Sequence, residues 1–139
     1  MLRAACHCTA VRLEIARAPE WVVDCNCSLC RRYGALWAYY RPGEVVIVRG
    51  SDHMDVYAWG ERSLGFHRCR TCGCLTHHSA LDSTPPRIRG VNVRMIPTLD
   101  PASVKLQHTD NAHTGFFWTR PPDRFQPGEQ APPDGDGWL

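Results

Sequence analysis

The sequence has little lysine: one residue, Lys105, against fifteen arginines. It also lacks a long apolar run, a large net charge and an internal repeat. No stretch approaches the roughly 18 apolar residues of a membrane-spanning helix, so no membrane partner is expected. The formal net charge is only +2, which argues against a strongly basic nucleic-acid binder. Met1 to Ala5 carries one arginine and a few small residues, and Cys6 arrives before an apolar signal segment could form. No secretory leader is therefore expected, and a cytoplasmic location is. No Ser-His-Asp pattern and no paired-carboxylate motif offers a familiar catalytic chemistry. What remains is 139 residues with an apolar fraction of 43%, one domain of ordinary size with enough apolar surface to pack a core.

Eight of those residues are cysteine. In a secreted domain this number would suggest disulfides. In a reducing compartment thiols stay free or bind metal, and the spacing favours metal. Cys6-His7-Cys8 is C-x-C, Cys25 to Cys30 is C-x-C-x-x-C, and Cys69 to Cys74 is C-x-x-C-x-C. Cysteines two or three apart can direct thiolates to one ion but are poorly placed to bridge each other. Thiolate-rich sites favour zinc or iron–sulfur clusters, and the spacing matches neither common ferredoxin run. The pairs around Cys6 and Cys69 can clamp one zinc from two separate turns, as a structural staple. Cys25, Cys27 and Cys30 can cover one side of a second ion. Its fourth position is then either open, as in a catalytic zinc site, or closed by Cys74, His67, His77 or His78.

Strand signals dominate the rest. Val11 to Ile15 alternates apolar and polar residues, as a half-buried strand does. Further strands are predicted over Trp21–Asp24, Leu36–Tyr40, Val45–Val48, Met54–Trp59, Leu64–His67, Ile88–Ile96, Val104–Gln107 and Phe116–Thr119. Ser28 is expected to cap one or two helical turns through Tyr33, with Gly34 ending them. That places Cys30, Arg31 and Arg32 at a positive helix start, which favours a thiolate. Asp100 and Pro101 predict a second single turn. From Arg120 onward there are five prolines and three glycines, the composition of a surface tail. The expectation is an all-β domain, mainly β with short helical turns and zinc knuckles, over 1–119, and a Pro/Gly-rich tail over 120–139.

Three cysteine elements in this order resemble the glutathione-dependent formaldehyde-activating enzyme family, which includes centromere protein V-like domains. The resemblance rests on Cys6-His7-Cys8-Thr9-Ala10-Val11, Asp24-Cys25-Asn26-Cys27-Ser28-Leu29-Cys30-Arg31-Arg32 and Phe66-His67-Arg68-Cys69-Arg70-Thr71-Cys72-Gly73, and extends through Gly90-Val91-Asn92-Val93-Arg94. It implies a β-rich "β-tent" fold and two zinc ions per chain. By resemblance, Cys6, Cys8, Cys69 and Cys72 fill a structural zinc site, and Cys25, Cys27 and Cys30 hold an open, catalytic zinc. Cys74 falls outside both sets: a small buried residue, a fourth ligand or a neighbouring thiol.

The implied activity is that of an S-(hydroxymethyl)glutathione synthase, a carbon–sulfur lyase that acts on glutathione and formaldehyde or a related thiol adduct. Zinc lowers the pKa of a bound thiol. Three thiolates against one divalent cation leave a weak Lewis acid, so thiol binding is favoured over carbonyl activation. The other readings are a non-catalytic, zinc-stabilised binding module and a lyase for a different thiol. Substrate carboxylates would suit arginine. Arg31, Arg32, Arg62 and Arg94 are the candidates, against the ordinary reading of solvated surface charges. Trp37, Tyr39, Tyr40 and Trp59 are either pocket lining or strand core.

Overall fold

A computed structural model describes residues 1–111 and the strand at 117–118. The expected tail, 120–139, lies outside the described residues. Among the described residues eleven strands form two open sheets. The smaller holds β1 (Leu2–Ala5), β2 (Arg12–Ile15) and β5 (Val45–Arg49), all antiparallel with β2 in the centre. The larger runs β11-β10-β3-β4-β9-β8-β7-β6. Its strands are β3 (Trp21–Cys25), β4 (Trp37–Tyr39), β6 (Met54–Tyr57), β7 (Leu64–Cys69), β8 (Leu75–Ala80), β9 (Arg87–Asn92), β10 (Lys105–Thr109) and β11 (Phe117–Trp118). All pair antiparallel except β3 and β10, which run parallel from Trp21 opposite Lys105 to Cys25 opposite Thr109. The chain is therefore mostly β, as its apolar periodicity predicts.

Alternation along the strands of the large sheet divides the core in two. β3 sends Val22 to one face and Val23 and Cys25 to the other, and β4 sends Ala38 to the first and Trp37 to the second. On the first face Val22, Ala38 and Val91 pack with Ala4, Leu13, Ile15 and Val45 of the small sheet. On the second, Trp37, Phe66, Leu75, Ala35 and Val23 pack with Cys25 and Cys30. Strands covered on both sides read as continuous apolar runs, which is why Trp-Val-Val lacks the polar alternation of β2.

Two strands had no sequence forecast, β1 and β8. β8 is Leu-Thr-His-His-Ser-Ala, buried at all six positions. β9 is shorter than Ile88–Ile96: Asn92 ends it. The Asn92 side chain accepts from the Arg94 backbone at 3.3 Å and donates to the Leu75 carbonyl at 3.0 Å, and Val93–Met95 forms a 3-10 turn. The expected cap at Ser28 does not form. The helix α1 is one turn, Cys30–Tyr33, and Leu29 precedes it in helical conformation with no side-chain cap. Gly34 ends it as expected, with φ of 64° and its N–H on the Cys30 carbonyl. Asp100 caps the turn Pro101–Ser103 through the Ala102 N–H at 2.9 Å, also as expected.

Candidate metal centres

The two cysteine groups occupy different surroundings. Cys6 and Cys8 sit in the turn between β1 and β2, and Cys69 and Cys72 in the turn between β7 and β8. Each turn is tightened locally. Thr9 donates to the Cys6 carbonyl at 2.9 Å, and Gly73 donates to the Cys69 carbonyl at 2.9 Å. Gly73 needs its φ of 74°, a left-handed value that a side chain resists. The two turns bring the four sulfurs within 4.8 Å of one another. Cys8 Sγ stands 3.6 Å from both Cys6 Sγ and Cys69 Sγ. A disulfide would need about 2 Å. Sulfurs at the corners of a tetrahedron with bonds of about 2.3 Å to zinc lie about 3.8 Å apart. The set therefore fits a four-thiolate metal site and not a disulfide.

The second group is Cys25, Cys27 and Cys30, also mutually within 4.8 Å. Cys25 ends β3 and Cys30 begins α1, both buried, while Cys27 is half-buried between them. Hydrogen bonds hold all three sulfurs. The Cys30 backbone N–H donates to Cys27 Sγ at 3.3 Å, the Trp37 indole to Cys30 Sγ at 3.3 Å, and the Asn111 amide to Cys25 Sγ at 3.3 Å. Behind them the Asn26 amide donates to Asp110 Oδ1 at 2.7 Å, tying the loop to the end of β10.

Acidity is unevenly shared among these thiols. Hydrogen bonds from the Cys25 and Cys30 thiols, with help from the Cys30 backbone, bring Cys27 down to about 3. Cys25 is pushed up to about 11 because it donates to Cys27, and Cys30 is raised well above its usual range by the hydrogen bonds it gives its two neighbours. The helix start expected to favour a Cys30 thiolate instead serves Cys27, since the one free N–H of the single turn points there. In the four-cysteine group burial pushes Cys6 up to about 12. Burial also resists ionisation of Cys72, but backbone N–H groups of Cys8 and Cys74 and the neighbouring thiols outweigh it and bring Cys72 to about 5. Each cluster thus holds one acidic thiol beside reluctant ones, an arrangement that a cation relieves.

Among the described residues no fourth Cys, His, Asp or Glu joins the group of three. Cys74 lies with the other cluster: its thiol accepts from the His7 backbone, and Cys72 and burial raise its pKa. His67 and His77 stack on each other at 4.2 Å between centroids, and His67 Nε2 meets Ser79 Oγ at 2.6 Å. His78 sits edge-on to Trp37 at 4.7 Å. The group of three instead borders a cavity of about 590 Å³. Its walls are mainly aromatic and apolar, with Trp37, Tyr39, Trp59 and Phe66 among them, and they include His78, Glu61 and Arg89. Of the aromatic residues singled out in the sequence, Tyr40 alone turns away, into the core beneath the small sheet.

The candidate arginines lie elsewhere. Arg32, Arg62 and Arg94 donate to the carbonyls of Ser28, Ala58 and Gly34 at 2.7, 3.3 and 2.8 Å, and neither they nor Arg31 lines the cavity. The cavity's own charges, Arg89 and Glu61, sit in no cysteine motif, so motif reading passes over them. Asn111 and the Trp37 indole were likewise invisible as sulfur donors, because their approach depends on β10 and β4 lying on either side of β3.

A family model described as glutathione-dependent formaldehyde-activating enzyme matches residues 1–113. A crystal structure of a Rhodobacter sphaeroides protein, a structural-genomics target, is similar at 35% identity and a TM-score of 0.63, over 73% of this chain and 93% of that one.

Proposed function

This chain belongs to the glutathione-dependent formaldehyde-activating enzyme family, and on that premise we propose that Cys25, Cys27 and Cys30 hold a zinc ion with an open fourth position where a small thiol binds. Cys6, Cys8, Cys69 and Cys72 would hold a second, structural zinc. The reading is a carbon–sulfur lyase of the S-(hydroxymethyl)glutathione synthase kind. The thiol sulfur of glutathione adds to the carbonyl carbon of formaldehyde, one C–S bond forms, and the thiol proton ends on the former carbonyl oxygen. The reverse step breaks the same bond. The observation that carries this reading is the cavity: it opens beside the three-thiol group.

When bound, zinc supplies positive charge that favours the anionic form of an incoming thiol. The protein's own groups do the rest. Trp37, Asn111 and the Cys30 backbone point N–H groups at the three sulfurs and fix where each faces. Trp37 and Phe66, edge-to-face at 6.1 Å, keep water from the inner wall. The cavity leaves room for the remainder of a tripeptide-sized thiol toward Tyr39 and Trp59. A cytoplasmic setting suits such a site, since thiols stay reduced there. The unit carrying both clusters would span 1–119, ahead of the Pro/Gly-rich segment 120–139.

The test is metal content together with exchange spectroscopy. Two zinc ions per chain are expected, with faster exchange between glutathione and formaldehyde by NMR than without protein. Cys27→Ser should lose one zinc and the acceleration. Two zinc ions with no acceleration would overturn the lyase in favour of a zinc-stabilised binding module.

A further inference from the structure

The cavity beside Cys25, Cys27 and Cys30 contains, among its described lining residues, one cation, Arg89, and one carboxylate, Glu61. Arg89 reaches it through an irregularity in the sheet. Along β8 and β9, His77 faces Val91 and His78 faces Gly90, but Ser79 faces Ile88. One step on β8 thus matches two on β9, and Arg89 is the extra residue of a β-bulge. Bulges re-aim a side chain and are common beside functional sites. The Arg89 backbone is held from the other side, where its carbonyl accepts from the Tyr40 N–H at 3.1 Å. Its charge is felt at His78, where burial first and Arg89 second hold the imidazole neutral.

Other surface arginines of this chain are paired. Arg17 meets Glu44 at 2.9 Å, Arg70 meets Asp55 at 3.2 Å, and Arg87, two residues from Arg89 on the same strand, meets Asp82 at 2.8 Å. Arg89 makes no ion pair and no side-chain hydrogen bond among the described residues. A guanidinium in a cavity wall, flanked by the rings of Tyr39 and Trp59 and left without an internal partner, is suited to a bidentate anion from outside. Glu61 repels such a group from its own side and so helps to orient it.

We propose that Arg89 recognises a carboxylate on the incoming thiol, making the bulge in β9 the specificity element of the cavity. The proposal rests on the thiol-binding reading above and adds to it a preference for anionic over neutral thiols. It is tested by calorimetric titration of the purified protein with N-acetylcysteine and N-acetylcysteamine, two thiols that differ by the carboxylate. The wild type should prefer N-acetylcysteine. Arg89→Gln should weaken it by about tenfold, the low end for a hydrogen bond to a charged partner, and leave N-acetylcysteamine unchanged. Arg89→Lys should keep part of the preference, and Glu61→Gln should not weaken N-acetylcysteine. An unchanged ratio in Arg89→Gln, or an equal loss for both thiols, would overturn the proposal and leave thiol binding standing. Failure of the wild type to bind either thiol would remove the thiol-binding reading, and this one with it.

Discussion

Trp37 and Cys30 meet through one hydrogen bond inside the second core: the indole Nε1–H donates to Sγ at 3.3 Å, and both residues are buried. The ring therefore serves two purposes, filling space against Phe66 and His78 and fixing a sulfur. Trp37→Phe keeps much of the first and removes the second. Metal affinity at the three-cysteine group should fall by about tenfold, as when an outer partner of a ligand is lost, while the four-cysteine group keeps its metal. Chelator competition with the cobalt-substituted protein checks this, since the two sites release metal separately.

The cysteine groups should also separate in their effect on stability. Cys8 and Cys69 are 61 positions apart, and a metal between them closes a long loop. Cys8→Ser should cost about 3 kcal/mol, by analogy with losing a cross-link over such a loop. That is roughly 10 °C in Tm for a domain of this size. Cys27 is half-buried and its own turn is local, so Cys27→Ser should lower Tm by much less. Thermal melts of the two variants side by side decide the point.

Three buried histidines make the fold sensitive to acid. Burial holds His77 at about 3 and His78 at about 4, and lowers His67 as well. An unfolded histidine titrates near 6.5. Between these values the unfolded chain binds more protons than the folded one, so stability rises with pH. It is fully present above about 6.5 and drains away as pH falls toward the folded values. Urea midpoints should drop across this window, and His77→Gln should flatten the drop with zinc content unchanged at pH 7.

Gly90 is fixed by contact. A Cβ there would overlap the His78 imidazole, which already abuts Trp37 and Phe66. Gly90→Ala should cost about 1–3 kcal/mol, the usual range for overpacking, and should shift the His78 ring resonances in an NMR spectrum.

Much of the architecture is legible in the sequence because β2 alternates cleanly and β3, β4 and β5 are apolar enough to stand out. β8 is not, because its Thr, His, His and Ser are buried by neighbours on both sides rather than by their own character. The cysteine spacing brought out both groups, since ligand spacing is local. Arg89 escaped for the opposite reason: its position comes from a register shift between two strands, which no single segment encodes. The cap at Ser28 failed because α1 begins two residues later, at Cys30, with no side chain closing its end.

The parallel pairing of β3 with β10 sets an order of assembly. Asn26 and Asp110, joined by a hydrogen bond, stand 84 positions apart. During synthesis the four-thiol clamp has all its parts once Cys72 has emerged, whereas the three-thiol loop gains its backing strand only with Thr109. Distant pairings of this kind form slowly. Until then one edge of β3 is an open template for other strands. A nascent chain of this protein is thus most exposed to oxidants and to misplaced metal at the loop it needs for function, and for most of its own translation.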